Sequence, residues 1–299
     1  MPISAPPTLT YLTAETWRQL REDHALRAER RTQPALKRRA EQRPHPIEDF
    51  LFTYYTFSFS KLREWHPPIG VALEASTPLP SCWQKAPYSF SDGWLWADPS
   101  SLPSKEFERI RWIRDLLVST RHRPAHFGCY GMHEWAMVYR GKDIRHHETA
   151  PLRLSQEDVD RFVESRPIQC SHFDAFRFFA PEAKPLNKLQ PGLWTRADHE
   201  QPGCVHANMD LYKWAGKAMP WVGTELWFAC FELALQFRDL DMRASPYDLS
   251  EFHLEPIAIE TAEGRRAYET EQRRLAALAT PLRDTLIALL DQVLSARSD

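Results

Sequence analysis

Residues that favour β-strands are scarce in this chain, and their scarcity limits the folds that it can adopt. Eight valines and ten isoleucines make only 18 of the 299 residues, and there are only 10 glycines. Strands favour β-branched side chains, and tight hairpins favour glycine. We therefore predict a mainly α fold, a compact helical domain with few short strands.

Four segments have the apolar spacing of amphipathic helices, and three of them are preceded by capping residues. Ser104 is placed to cap the first, and Ser155 with Asp158 has the spacing of a capping box before the second. Thr224 is placed to cap the third, whose core-facing residues are Trp227, Phe231, Ala234 and Phe237. The apolar stripe of the fourth consists of Leu275, Leu278, Leu282, Leu286, Leu289 and Val293.

No linker divides the chain convincingly, so we predict a single domain over residues 1–299. Residues 1–44 are expected to form an N-terminal helical arm, and residues 45–262 the core. Residues 263–299 are expected to form a helical hairpin or cap, because Pro281 should start a second helix or kink the first.

Three segments are less regular. Between Pro67 and Pro103, seven prolines and three tryptophans predict a long ordered loop packed by its aromatic side chains. The apolar run at residues 50–57 fits either a strand or a buried helix. The basic stretch from Arg27 to Arg43 fits a solvated helix face better than a surface for phosphates.

Composition excludes several classes of protein. Lys and Arg number 38 against 40 Asp and Glu, a net charge of 38 − 40 = −2, so no global positive field attracts nucleic acid or an anionic membrane. No signal peptide or membrane span is recognisable, and a cytoplasmic protein is expected. The five cysteines include no C-x-x-C pair, and most are expected to be small buried hydrophobic residues.

Eight of the twelve histidines lie between residues 122 and 206. Within this region His206 and Asp210 are four residues apart, so they share a face if residues 205–217 are helical. An imidazole and a carboxylate so placed can bind a metal or form a base with its orienting partner. A helix cap or a surface hydrogen bond is the simpler alternative.

His172 and Asp174 are two residues apart among four phenylalanines. In an extended segment both would point to one side, and the aromatic surroundings would raise the pKa of the Asp174 carboxyl. The alternative is that Asp174 pairs with Arg177 or caps a helix that starts at Ala175. The sequence alone does not decide between these two interpretations of Asp174.

The segment at 126–135 contains two glycines that allow a ligand to approach the backbone, followed by His133 and Glu134. It is not a zinc-protease helix, because the second histidine of H-E-x-x-H is missing. His146 and His147 are expected to form an exposed basic turn. A role for Asp241 stays open.

Six motifs stand out as a set. They are HPIEDFLFTYY at 45–55, HFGC at 126–129, HEW at 133–135, CSHFDAFRFF at 170–179, QPGCVHANMDLYKW at 201–214 and DMRASPYD at 241–248. Together they resemble a bacterial family usually labelled 3-methyladenine DNA glycosylase, over about residues 45–275. The chain shows no obvious glycine-rich helix-hairpin-helix.

The resemblance implies a hydrolase that cleaves the N-glycosidic bond of an alkylated purine in damaged DNA or in a purine nucleoside, without a cofactor. Such a reaction needs an aromatic slot for the base, a carboxylate and a positioned water. The substrate-binding candidates are Tyr54, Tyr55, Phe176, Trp214, Arg177 and Lys213. The catalytic candidates are Asp210, Asp174, His206, His172 and Glu134.

Two other interpretations compete with this one. In the first, the chain is a metal-dependent helical hydrolase or oxygenase that binds one or two transition-metal ions, such as iron, manganese or zinc. Its candidate ligands are His133, Glu134, His172, Asp174, His206 and Asp210. In the second, the clusters are packed core, and Arg27 to Arg43 form a partner-binding face.

Overall fold

The chain folds mainly into α-helices. The computed structural model describes residues 9–75, 78–85, 87–141 and 150–297, so the basic turn expected at His146 and His147 lies outside the described residues. The helices are α1 (Ala14–Ala40), α2 (Phe50–Tyr54), α3 (Phe59–Arg63), α4 (Ser104–His122), α5 (Met132–Met137), α6 (Gln156–Glu164), α7 (Phe173–Phe176), α8 (Arg196–His199), α9 (Val205–Lys217), α10 (Thr224–Arg243) and α11 (Ala262–Arg297). The strands are β1 (Thr10–Leu12), β2 (Val71–Glu74), β3 (Tyr88–Ser91) and β4 (Trp94–Ala97).

The centre of the molecule is formed by α9, α10 and α11. Helix α10 packs against both α9 and α11, and α4 covers α11 from another side. The four core-facing residues predicted for α10 are all buried, which confirms the apolar stripe. No helix in the described ranges is both long and apolar enough to cross a membrane.

The predicted helix starts are right in one case and shifted by a residue in two. Ser155 caps α6 as expected, because its hydroxyl accepts a hydrogen bond from the backbone N–H of Asp158. Ser104 and Thr224 are instead the first residues of their helices. The Thr224 hydroxyl accepts from the backbone N–H of His66 at 2.7 Å, and so joins α10 to the segment before β2.

The C-terminal segment, predicted as a helical hairpin or cap, is one helix. Helix α11 continues through Pro281, so the hairpin alternative is wrong. Leu275, Leu286 and Val293 are buried as predicted, but Leu278 is 45% exposed. At 3.6 residues per turn Leu278 lies about 60° around the helix from buried Leu275 and Val293, at the edge of the stripe, which explains its exposure.

The segment between Pro67 and Pro103 is not one long loop, since it contains β2, β3 and β4. The sheet has the order β1-β2-β4-β3, in which β1 is parallel to β2 and the other pairs are antiparallel. Asp92 and Gly93 connect β3 to β4 with φ values of 51° and 83°. A turn with two positive φ angles suits a two-residue hairpin, and Asp-Gly is its strongest sequence signal.

The expectation of aromatic packing in this segment is correct. Trp83 is buried in a second apolar cluster, together with Trp17 of α1, Trp65, Leu73 of β2 and Leu95 of β4. This cluster fixes one side of the sheet against the N-terminal helix. Aromatic side chains therefore provide the packing of this sheet, which the few β-branched residues of the chain could not provide alone.

The basic stretch from Arg27 to Arg43 has carboxylate partners within the chain. Arg27 lies 2.6 Å from Glu225 at the start of α10, and Arg38 lies 2.6 Å from Asp49 before α2. These ion pairs attach α1 to the neighbouring segments. They neutralise part of the positive charge of this stretch.

Half-buried His66, whose side chain is 12% exposed, makes the stability of the fold depend on pH. Its Nδ1 lies 2.7 Å from the hydroxyl of Tyr88, and burial lowers the pKa of His66 to about 4. An unfolded histidine titrates near pH 6.5, so protonation favours unfolding as the pH falls from about 6.5 to about 4. We expect His66 to account for a loss of about 3 kcal/mol in the free energy of unfolding over this range.

The variant His66→Gln tests this expectation, because glutamine does not titrate. Urea unfolding of both proteins at about pH 7 and about pH 4.5 measures the loss. The loss should be clearly smaller in the variant. An equal loss in the two proteins would show that His66 does not carry the effect.

Candidate functional site

Two groups of histidines and carboxylates lie side by side in the core. The Asp210 group consists of His172, Asp174 and Asp210, and the Asp241 group consists of His133, His206 and Asp241. In each group the three candidate ligand atoms lie within 4.8 Å of one another. The rings of His172 and His206 stack with their centroids 5.4 Å apart, so the two groups are neighbours.

Helix α9 supplies one residue to each group. It spans the predicted residues 205–217, and His206 and Asp210 are both on it. The sequence suggested that these two residues pair with each other, but in the structure each has a different partner. The Asp210 carboxylate lies 3.3 Å from His172 Nε2, whereas His206 Nε2 lies 3.9 Å from the Asp241 carboxylate on α10.

Asp174 lies in the first turn of α7, so the extended arrangement is wrong and the helical alternative is nearer the structure. The helix starts at Phe173 rather than at Ala175. The Asp174 carboxylate accepts hydrogen bonds from Arg196 and from Lys213, the latter at 2.8 Å. It also lies 3.2 Å from Arg177, the predicted partner, so Asp174 is held by three cations.

Both carboxylates of the Asp210 group stay charged at neutral pH. Burial disfavours the charged form of Asp174, but Lys213 and Arg196 outweigh burial and lower its pKa to about 2. The expectation that aromatic surroundings raise this pKa is therefore wrong. Burial is likewise outweighed at Asp210, where Lys213 and His172 lower the pKa. The Tyr55 hydroxyl donates a hydrogen bond to Asp210 at 2.9 Å.

The two histidines on the Asp241 group differ in charge. Burial opposes protonation of His133, but the Asp241 carboxylate 2.7 Å away raises its pKa well above the ordinary value. Burial, and then the charge of His133, lowers the pKa of His206 to about 3. His206 is therefore neutral, with a ring nitrogen able to act as a ligand.

A buried arginine completes the Asp241 group. One nitrogen of Arg238 donates to Glu134 at 3.0 Å and to Asp241 at 3.2 Å. Arg238 and Glu134 are each almost fully buried. Glu134 of α5 is thus joined to α10 through an ion pair.

Several buried polar atoms in or beside the two groups make no well-directed hydrogen bond among the described residues. They are both ring nitrogens of His172, Glu134 Oε2, Glu200 Oε1, and His133 Nε2 and Asp241 Oδ1, which form an ion pair with each other. A buried polar atom without a partner costs free energy, so each calls for an explanation.

The distances within the groups fit shared coordination. His133 Nε2 lies 2.7 Å from Asp241 Oδ1, and His172 Nε2 lies 3.3 Å from Asp210 Oδ2. Two ligand atoms about 2.1 Å from one ion and at right angles to each other are about 3.0 Å apart. The residues present therefore fit one or two metal ions.

A cavity of about 170 Å³ opens beside both groups. Its aromatic wall consists of Phe50, Tyr54 and Phe178, and its polar wall consists of Glu134, Asp174, His206 and Arg238. Phe50 and Tyr54 are on α2, so the ambiguous run at residues 50–57 starts as a helix. Their rings stack with centroids 5.1 Å apart, and the structure thus places an aromatic surface next to charged groups.

The other predicted substrate-binding residues are not in the wall of this cavity. Tyr55 is buried against Asp210, and Phe176 packs against Phe179. The ammonium of Lys213 lies 4.5 Å from the centre of the Trp214 ring, in a cation–π contact. Of the predicted residues outside the cavity wall, Tyr55 and Lys213 contact Asp210, and Arg177 contacts Asp174.

Sequence reasoning missed four charged residues of the site or left them open. Arg196 and Glu200 lie on and just after α8, and Arg238 and Asp241 on α10. Each is at most 5% exposed. The only signal in the sequence was the alternation of acids and arginines near the end of α10, which equally suits surface ion pairs.

Three cysteines lie close to the Asp241 group. Cys129, Cys170 and Cys204 line a narrow pocket together with His133 and His206. Cys129 Sγ lies 4.0 Å from His133 Nδ1. These thiols are therefore part of the surroundings of the site, in addition to filling space as small side chains.

Comparison with protein-family models, curated proteins and solved structures finds no match for this chain. The resemblance to the glycosylase family stays a prediction.

The ion pair of Arg238 is expected to be essential for stability. In the variant Arg238→Met, the carboxylates of Glu134 and Asp241 stay buried without their cation. Loss of one partner from a buried pair costs about 3 to 5 kcal/mol of free energy of unfolding. Urea unfolding at neutral pH measures it.

The matched control is Arg177→Met. Arg177 pairs with Asp174, and its side chain is 45% exposed. An exposed pair contributes less than about 1 kcal/mol. Similar losses in the two variants would contradict the assignment of Arg238 to a buried charge network.

Proposed function

We propose that this chain is a metal-dependent hydrolase. The Asp210 and Asp241 groups bind one or two transition-metal ions, and the aromatic cavity beside them holds a small organic substrate. The observation that carries this proposal is the convergence of imidazole and carboxylate atoms, since in each group three candidate ligand atoms lie within 4.8 Å of one another.

The charge balance of the site links metal binding to the proton on His133. Five carboxylates face five positive charges when His133 is protonated, because Arg177 also pairs with Asp174. The carboxylates are Glu134, Asp174, Glu200, Asp210 and Asp241, and the other cations are Arg196, Lys213 and Arg238. A divalent ion at the Asp241 group would replace the proton on His133, since a histidine ligand must be neutral.

The ligand types indicate which ions fit. Mixed imidazole and carboxylate ligands suit iron, manganese and zinc. The Asp241 group offers two histidines and one carboxylate, which leaves coordination positions for water and substrate.

The protein residues have separate tasks in such a hydrolase. A bound ion would polarise the scissile group and lower the pKa of a water molecule. Glu134 lines the cavity and has an unpartnered oxygen, so it is placed to accept a proton from that water. Phe50 and Tyr54 provide the surface against which the substrate packs.

Metal content tests the proposal. Protein loaded with Mn²⁺, Fe²⁺ or Zn²⁺ and freed of excess ion should retain at least one equivalent by elemental analysis. Asp241→Asn should lower the retained metal, because an amide is a weaker ligand than a carboxylate. Asp239→Asn is the matched control, since Asp239 is on the same helix, is 40% exposed and pairs with Arg243.

Retention well below one equivalent for all three ions would refute the metal site. Equal retention in the two aspartate variants would show that the metal does not bind at the Asp241 group. Either result leaves the second candidate function open.

The second candidate is cleavage of the N-glycosidic bond of an alkylated purine without a metal. Ionised Asp174 lies in the cavity wall beside Phe50, Tyr54 and Phe178. An alkylated purine is cationic, and both aromatic faces and a carboxylate attract a cation. The same carboxylate would stabilise the positive charge that develops on the sugar.

Release of free base from methylated DNA and from methylated purine nucleosides, measured by chromatography with chelator present, tests this candidate. Asp174→Asn is expected to lower the rate about 100-fold or more, while Asp239→Asn leaves it unchanged. No release by the wild-type protein from either substrate would eliminate the glycosylase.

A further inference from the structure

A second opening of about 660 Å³ lies apart from the aromatic cavity. We call it the lysine cleft. Lys61, Lys85 and Lys217 are exposed at its edge, and its wall includes Phe57, Tyr88 and Trp227. None of these residues lines the cavity beside the two histidine groups.

The lysines reach the cleft from separate parts of the fold. Lys61 is on α3, Lys85 precedes β3, and Lys217 is the last residue of α9. Arg109 of α4 adds a fourth cation. Convergence from four segments distinguishes this cluster from the regular spacing of a solvated helix face.

The charge of the cleft is positive in a protein whose net charge is −2. Within the described part of the chain none of the three lysines forms an ion pair, although Arg109 pairs with Glu106 at 2.8 Å. Glu64 is the acidic residue in the lining, and it lies 3.8 Å from His66.

The surroundings of Lys217 are also positively charged. Partial burial, and then the positive charges of Lys213 and Arg109, lower the pKa of Lys217. Unpaired lysines in such a field favour a polyanion such as a phosphate chain.

The wall of the cleft supplies aromatic rings. Phe57 packs edge-on against Trp227 with ring centroids 5.2 Å apart, and Tyr88 stacks with His66. Gly216 makes the close packing possible, because a Cβ there would lie 2.5 Å from the Phe57 ring. Aromatic side chains beside cations suit a ligand with both a base and phosphates.

We propose that the lysine cleft binds a nucleotide, with the phosphates on Lys61, Lys85 and Lys217 and the base against the Phe57 and Tyr88 wall. The site is independent of the proposed hydrolase centre. It would give the protein a second ligand, as an allosteric effector or a co-substrate.

Calorimetric titration of the full chain with ATP tests the proposal, with adenosine and inorganic tripolyphosphate as separate probes. EDTA in every titration removes metal-mediated binding at the two histidine groups, so the result does not depend on the hydrolase. We expect saturable binding of ATP that is tighter than binding of either probe. The double variant Lys61→Ala/Lys217→Ala should weaken ATP binding about tenfold or more.

Lys188→Ala is the matched control, because Lys188 is exposed and does not line the cleft. The affinity of this variant for ATP should equal that of the wild-type protein. Absence of saturable ATP binding overturns the proposal, and so does equal weakening by the control. Tripolyphosphate binding as tight as ATP would show a general polyanion site instead. Binding of an oligothymidylate without ATP binding would assign the cleft to single-stranded nucleic acid.

Discussion

Buried charge at the centre of the helical core is the constraint on which the rest of this structure depends. Arg238, Glu134 and Asp241 form one network, and Asp174, Asp210, Arg196 and Lys213 form another. These side chains come from five separate helices, α5, α7, α8, α9 and α10. Each helix must therefore pack at a defined position, since a displaced helix would leave a buried charge without its partner.

Helix α9 connects the aromatic cavity with the lysine cleft. Asp210, near its middle, belongs to a histidine group beside the aromatic cavity, and its last residue, Lys217, lies in the lysine cleft. Lys213 lies between them and forms ion pairs with both Asp174 and Asp210. A ligand that changes the charge near Lys217 would therefore act on the same helix that positions the proposed metal ligands.

The helices and part of the site could be predicted from the sequence because their signals are local. The capping of α6 by Ser155 and the apolar stripe of α10 depend on residues within a few positions of each other. The hairpin at Asp92 and Gly93 also had a local signal, but the many prolines around it hid the strands. Arg177 could be predicted as a partner of Asp174 because it is three residues away. The other partners of Asp174, Arg196 and Lys213, could not, and neither could the pair of Arg238 with Glu134, because these pairs join distant residues, in the last case about a hundred positions apart.

An anomalous difference map from crystals grown with Mn²⁺ tests the central claim most directly. We expect a peak bounded by His133, His206 and Asp241, or by His172, Asp174 and Asp210, with the ring nitrogens of the bounding histidines directed at it. A map without a peak at either position, in which ordered water molecules satisfy those nitrogens, would contradict the account.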